Sequence, residues 1–240
     1  MSIDIKRIIA VLCITVWTFG SARSQSSSNE VIIVGQMKNV MWKGQLQGTI
    51  FLDTIANKRH LYALGPVEYL AGEILVIDGR SYKSTVVSDR TMKVEETFNL
   101  KAPFLGYANI SSWTEQDLPA HIQTMPQLES YLDTITRNRS LPFLFRLSGE
   151  IGEARIHVVN LPKGTKVSSP ADAHKGQVNY LVKNAPVEIV GFFSTEHKAI
   201  FTHHDTFLHM HLVTADRQMM GHLDKAAFVA GKMKLYLPQD

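Results

Sequence analysis

The sequence predicts an α/β protein that is mostly β: two β-rich subdomains with mixed or antiparallel sheets and a few short helices, with a metal site in the C-terminal subdomain. Three observations predict it. Short apolar runs bounded by turn residues recur along the chain, and their lengths suit strands better than helices. Ile77-Asp78-Gly79-Arg80 carries the Asp-Gly signal of a tight hairpin. Phe207-Leu208-His209-Met210-His211-Leu212-Val213 alternates as a strand does and puts two histidines on one face.

Lys6-Arg7 precede the apolar run Ile8–Phe19, which exits through Gly20-Ser21-Ala22, the charge pattern and exit of a secretory signal peptide. That run is shorter than the ~20 residues needed to cross a bilayer core. Residues 1–25 are therefore expected to be a cleaved leader, the mature chain starting between Arg23 and Ser28, and the protein to be secreted or periplasmic. Cys13, the single cysteine, lies in this leader, so the mature chain is expected to have no disulfides and no thiolate ligands.

Behind the polar Gln25–Asn29, Val31–Val34 is the first expected strand. Thr49 stands where it would cap a short helix over Ile50–Ala56, and Leu61–Leu64 and Glu73–Ile77 follow as strands. Asp78-Gly79 turns the second of these into Ser81–Val87. Strands at Met92–Phe98 and Pro103–Ala108 complete an N-terminal subdomain of residues 26–112, and Trp113–Thr124 reads as an irregular polar connection.

The second subdomain, residues 113–240, begins with a helix signal: Thr124, then Pro126, then the stripe Leu128, Tyr131, Leu132 and Ile135. Strands are expected at Phe143–Leu147, Glu153–Val159, Asn179–Lys183 and Val187–Phe193, interrupted at Gly149, Gly152, Pro162-Lys163-Gly164 and Pro186. The His209-x-His211 strand and Phe228–Leu237 complete it. With 45% hydrophobic and 20% charged residues the composition is globular, and the net charge of +3 is spread without a basic run, which excludes disorder and a nucleic-acid surface.

The chemistry concentrates near the C-terminal end. His209 and His211 project side by side, about 6.6–7 Å apart along a strand. Thr214-Ala215-Asp216-Arg217 carries turn residues, so the chain is expected to return antiparallel and bring His222 beside the pair. Three neutral imidazoles with an open fourth position are the protein part of a catalytic zinc site. His203-His204-Asp205 reads as a solvated loop rather than an auxiliary metal site, because adjacent residues face different ways.

Leu208–Leu212, Asp216-Arg217 and Gly221-His222-Leu223-Asp224 together resemble the zinc-binding signature of the alpha-acetolactate decarboxylases, with the same spacing between the histidines. Leu70–Tyr82 resembles the family's other characteristic stretch, in which a glutamate at the position of Glu73 reaches the active site. Phe145-Arg146-Leu147-Ser148-Gly149 resembles the segment leading into the family's active-site arginine strand, and Val190-Gly191-Phe192 the strand before the histidines. The family arginine falls on His157, with Arg155 two residues earlier, and no residue here corresponds to the family's C-terminal glutamate.

The resemblance implies Zn2+ held by His209, His211 and His222, and conversion of 2-acetolactate to acetoin and carbon dioxide through an enediolate held by the metal. Glu73 is the expected acid-base group, and His157 or Arg155 the group that steers the substrate carboxylate. The expected partner is a small hydroxy-keto acid, with no nucleic acid, no membrane after leader cleavage, and a homodimer left open. Two rival readings stand beside this one: a diverged zinc lyase or isomerase acting on another hydroxy-keto acid, and a non-catalytic metal or small-acid binding protein.

Overall fold

Strand-forming runs in the N-terminal half collect into one antiparallel sheet in a computed structural model that describes residues 29–198, 200–202 and 206–239. The expected leader, Cys13 and His203-His204-Asp205 lie outside the described residues. The elements are β1 (Ile32–Val34), α1 (Met37–Lys43), β2 (Ile50–Phe51), β3 (Leu61–Pro66), β4 (Glu73–Ile77), β5 (Arg80–Val86), β6 (Met92–Glu96), β7 (Lys101–Ala102) and β8 (Leu105–Asn109). The sheet order is β1-β8-β3-β4-β5-β6, and β2 pairs separately with β7. Asp78 and Gly79 take φ of 47° and 78°, the left-handed pair that a two-residue hairpin needs, and so fix Ile77 opposite Arg80. Glu73 is thereby the first residue of a central strand.

One expected helix is replaced by a strand, and one helix forms where none is expected. The Thr49 hydroxyl donates to the Ala102 and Pro103 carbonyls at 3.3 and 3.0 Å instead of capping a helix, so Ile50-Phe51 is a strand and only Leu52–Thr54 coil into a single 3-10 turn. Conversely, α1 forms although no cap announces it: Met37, Val40 and Met41, at helical spacing, are buried, and Gly44 ends the helix at φ 63°.

The second half contributes β9 (Trp113–Asp117), α2 (Met125–Ile135), β10 (Phe143–Val158), α3 (Pro170–Ala173), β11 (Val178–Phe193), β12 (Leu208–Thr214) and β13 (Met220–Pro238). α2 starts as read, with Thr124 and Gln127 forming a capping box and Pro126 in the first turn. β9 is a correction, since the expected irregular connection pairs along β13, with Asp117 and Glu115 reaching Lys234 across the strands. The expected breaks at Gly149, Gly152 and Pro186 do not end strands either. At Gly149 (φ 143°) a Cβ would lie 2.0 Å from the Lys232 carbonyl oxygen, so glycine lets two long strands stay paired while they bend.

Strands β10, β11, β12 and β13 close on themselves, because β13 pairs with β12 through Met220–His222 and with β10 through His222–Tyr236. Inside this closed sheet Phe145, Leu147, Ile156, Ile189, Met210, Leu212 and Leu235 pack with Leu128 and Leu132 of α2. A second apolar layer, including Leu75, Tyr82, Phe104, Val190, Phe192, Val213 and Met220, joins the closed sheet to the N-terminal sheet. All strand pairings are antiparallel, and among the described residues no helix is long and apolar enough to cross a membrane.

Candidate metal centre

The turn after β12 fixes the register of the histidines. Thr214 accepts from and donates to Met219, its hydroxyl also donates to Asp216, and Arg217 takes φ 59°, so the hairpin closes tightly. His211 then lies opposite His222, and on the other side of β13 His222 lies opposite His157. One cross-strand row therefore reads His157, His222, His211 across β10, β13 and β12, with His209 two residues along β12. Glu73 arrives from the facing sheet.

His209, His211 and His222 form a nearly equilateral triangle, with ring centroids 5.4, 5.3 and 5.6 Å apart. A metal bound by imidazole nitrogens at about 2.0–2.1 Å places ring centres about 3.2 Å away, so tetrahedral ligands would have centroids about 5.2 Å apart. The triangle fits a single ion. All three rings are buried, and Phe201 and Phe104 wall His209 at 5.4 and 6.1 Å. Burial, then the neighbouring His222 and His157, hold His211 far below the usual histidine range; burial also depresses His222. Both are thus in the neutral form that has a lone pair for a metal.

Glu73 is 3% exposed. Its Oε2 lies 3.7 Å from His211 Nε2, and its Oε1 lies 4.0 Å from His157 Nε2 and accepts from the Val159 amide at 3.2 Å. Burial pushes its carboxyl up to about 8, against the attraction of His157. In the metal-free protein this shift favours the protonated carboxyl, within reach of the histidine triangle.

His157 stacks on His222 at 4.6 Å and meets His174 edge-on at 5.9 Å. Burial opposes its charging, but the Asp224 carboxylate and then Glu73 raise it above the ordinary histidine value. Arg155 is placed differently: it is exposed, opposite Leu181 and Lys225. A register shift between Arg155 and Ile156 separates it from the row that His157 joins.

Asp224 and His174 carry no assigned role in the sequence reading. Asp224 bonds the Nδ1 atoms of both His157 and His222, at 2.8 and 3.0 Å. The signal was present, since a carboxylate two residues beyond a strand histidine shares its face. His157, His222 and Asp224 also hold donor atoms within 4.8 Å of one another, a second grouping able to hold a metal ion.

The profile of the family described as Alpha-acetolactate decarboxylase matches residues 34–238. This chain belongs to the alpha-acetolactate decarboxylase family. Its members are carboxy-lyases, and so is this protein. An alpha-acetolactate decarboxylase from Lactococcus lactis subsp. lactis is 23% identical over 185 residues, covering 75% of this chain and 72% of that protein. The crystal structure of alpha-acetolactate decarboxylase from Bacillus subtilis strain 168 has a TM-score of 0.71 at 19% identity, over 88% of this chain and 86% of that one. A Staphylococcus aureus protein of unknown function, similar to alpha-acetolactate decarboxylase, has a TM-score of 0.69 at 15% identity, over 87% of this chain and 84% of that one. These structures share the decarboxylase fold with this chain.

Proposed function

We propose that this protein converts 2-acetolactate to acetoin and carbon dioxide with a zinc ion held by His209, His211 and His222. The observation that supports it most is the histidine triangle, its 5.3–5.6 Å centroid spacing matched to one tetrahedral ion. An all-nitrogen, buried donor set suits zinc, and three protein ligands leave a position for substrate. When bound, the metal supplies Lewis-acid polarisation of the substrate ketone.

The chain's own groups account for the remaining steps. The imidazole of His157 faces the site from β10 and is biased towards its cationic form, which suits it to orient the substrate carboxylate that leaves as carbon dioxide. Loss of that group leaves an electron pair on the hydroxyl-bearing carbon. The Glu73 carboxyl, buried beside the triangle in surroundings that favour its protonated form, is the group to deliver a proton to that carbon, forming acetoin. The apolar wall of Phe104 and Phe201 excludes water from this face.

The presence of His157 where the resemblance expects arginine favours one second reading, decarboxylation of another 2-hydroxy-3-keto acid at the same site, because imidazole lacks arginine's two-pronged carboxylate grip. The charged and apolar N-terminal run supports export of the mature chain. Elemental analysis tests the metal assignment: the purified protein is expected to hold about one zinc per chain, lost in the His209→Ala/His211→Ala double variant.

A further inference from the structure

Asp224 occupies an unusual place in its strand. Along β10 and β13, Arg155 pairs with Lys225 but Ile156 pairs with Leu223, so Asp224 is the extra residue of a bulge. The bulge lies beside the His157–His222 pair and presents Asp224 on the face of His222. Its Oδ1 is 2.8 Å from His157 Nδ1 and 3.0 Å from His222 Nδ1, and its Oδ2 is 2.9 Å from His157 Nδ1. The side chain is 32% exposed and lines the edge of a cavity of about 660 Å³ with His222, Met210 and Thr206.

We infer that Asp224 is a positioning residue that locks both His157 and His222 with Nδ1 protonated, so that each presents Nε2 to the site. An ionised carboxylate can only accept hydrogen bonds, so the hydrogen lies on Nδ1 of each ring. The remaining nitrogen is then fixed in place and in tautomer. For His222 it is the buried Nε2, the ligand atom of the proposed metal site, and for His157 it is the Nε2 that faces Glu73. One carboxylate thus sets two groups with different duties, the metal ligand and the substrate-facing imidazole. The second arm of the test below rests on the proposed metal site; the first does not.

Long-range 1H–15N correlation spectra of the metal-free full-length chain read the tautomers without substrate or metal. At a pH above the titration of both rings, the wild type is expected to show His157 and His222 in the Nδ1–H form, and in Asp224→Ala both revert to the Nε2–H form that free imidazole side chains prefer. Asp224→Asn gives a sharper reading that also covers a poorly folded alanine variant. With its amide oxygen at the Oδ1 position, His222 still faces only an acceptor while His157 Nδ1 faces both that acceptor and the new NH2 donor, so His222 is expected to keep the Nδ1–H form and His157 to populate both forms. Zinc titration against a competing chelator is expected to show affinity weakened about 10–100-fold in Asp224→Ala, with one ion still bound at saturation. Unchanged tautomers in both variants overturn the inference. So does loss of the stoichiometric ion in Asp224→Ala together with its retention in His209→Ala/His211→Ala, which would make Asp224 the ligand.

Discussion

His157 on β10 and His222 on β13 are paired across the strands with their rings stacked at 4.6 Å and inclined by 26°, and the residue beside them, Gly221, permits the approach. A Cβ at Gly221 would lie 2.4 Å from the His157 carbonyl oxygen, a backbone atom that cannot swing away. Gly221→Ala is therefore expected to push β13 off β10. Thermal unfolding should report a loss of about 1–3 kcal/mol. Zinc binding should weaken in parallel, because His222 shifts with its strand.

Arg155 and His157 are two residues apart, yet only His157 reaches the site. Arg155→Ala is expected to leave kcat/KM for acetolactate within about twofold, as for an exposed group with no contact to the reaction. His157→Ala should lower it at least tenfold. His157→Arg restores the residue that the family resemblance expects there, and should raise kcat/KM and flatten its loss at alkaline pH, since arginine stays charged where imidazole does not. Steady-state kinetics across pH decide between the two residues.

Glu73→Gln removes a titratable proton with little change in shape. The expected result is a fall in kcat on the order of 10²–10⁴, the usual contribution of a positioned proton donor. Zinc content should stay at one per chain. A loss of zinc equal to the loss of rate would instead assign Glu73 to holding the metal.

The Glu73 carboxyl also sets a pH dependence in the metal-free protein. Its folded value of about 8 lies above the ordinary 4.5, so the folded chain binds the proton more tightly than the unfolded one. Its stabilising contribution is complete below about pH 4.5 and is lost as pH rises towards 8. The difference in stability between wild type and Glu73→Gln should therefore move against the wild type over that window, by on the order of 3–5 kcal/mol. Denaturant unfolding of chelator-treated protein at several pH values measures it.

Much of the site was legible because strands have period two. His209 and His211 had to share a face, and the polar turn at Thr214–Arg217 had to return the chain, which left His222 as the natural partner. The Asp78-Gly79 hairpin likewise fixed where Glu73 begins its strand. What local patterns could not supply was closure. That β13 pairs with β12 at one end and β10 along the rest is a long-range relationship, and it alone brings His157 and Asp224 to the triangle. The bulge that separates Arg155 from His157 depends on the same pairing. Gly149, Gly152 and Pro186 looked like strand ends because glycine and proline usually are; the partner strands held the chain extended through them. β9 was hidden for a related reason, its polar sequence made strand-like by the neighbour it pairs with.

The most direct test of the account is turnover of 2-acetolactate by the purified protein, followed as acetoin, before and after removal of metal. Zinc-loaded wild type is expected to form acetoin well above the rate with free zinc, to lose that activity on chelation and recover it with zinc, and to show none in His209→Ala/His211→Ala. Undiminished acetoin formation by the chelated protein or by the double variant would contradict the zinc site, and no acetoin above the free-zinc rate from a fully loaded wild type would contradict the substrate.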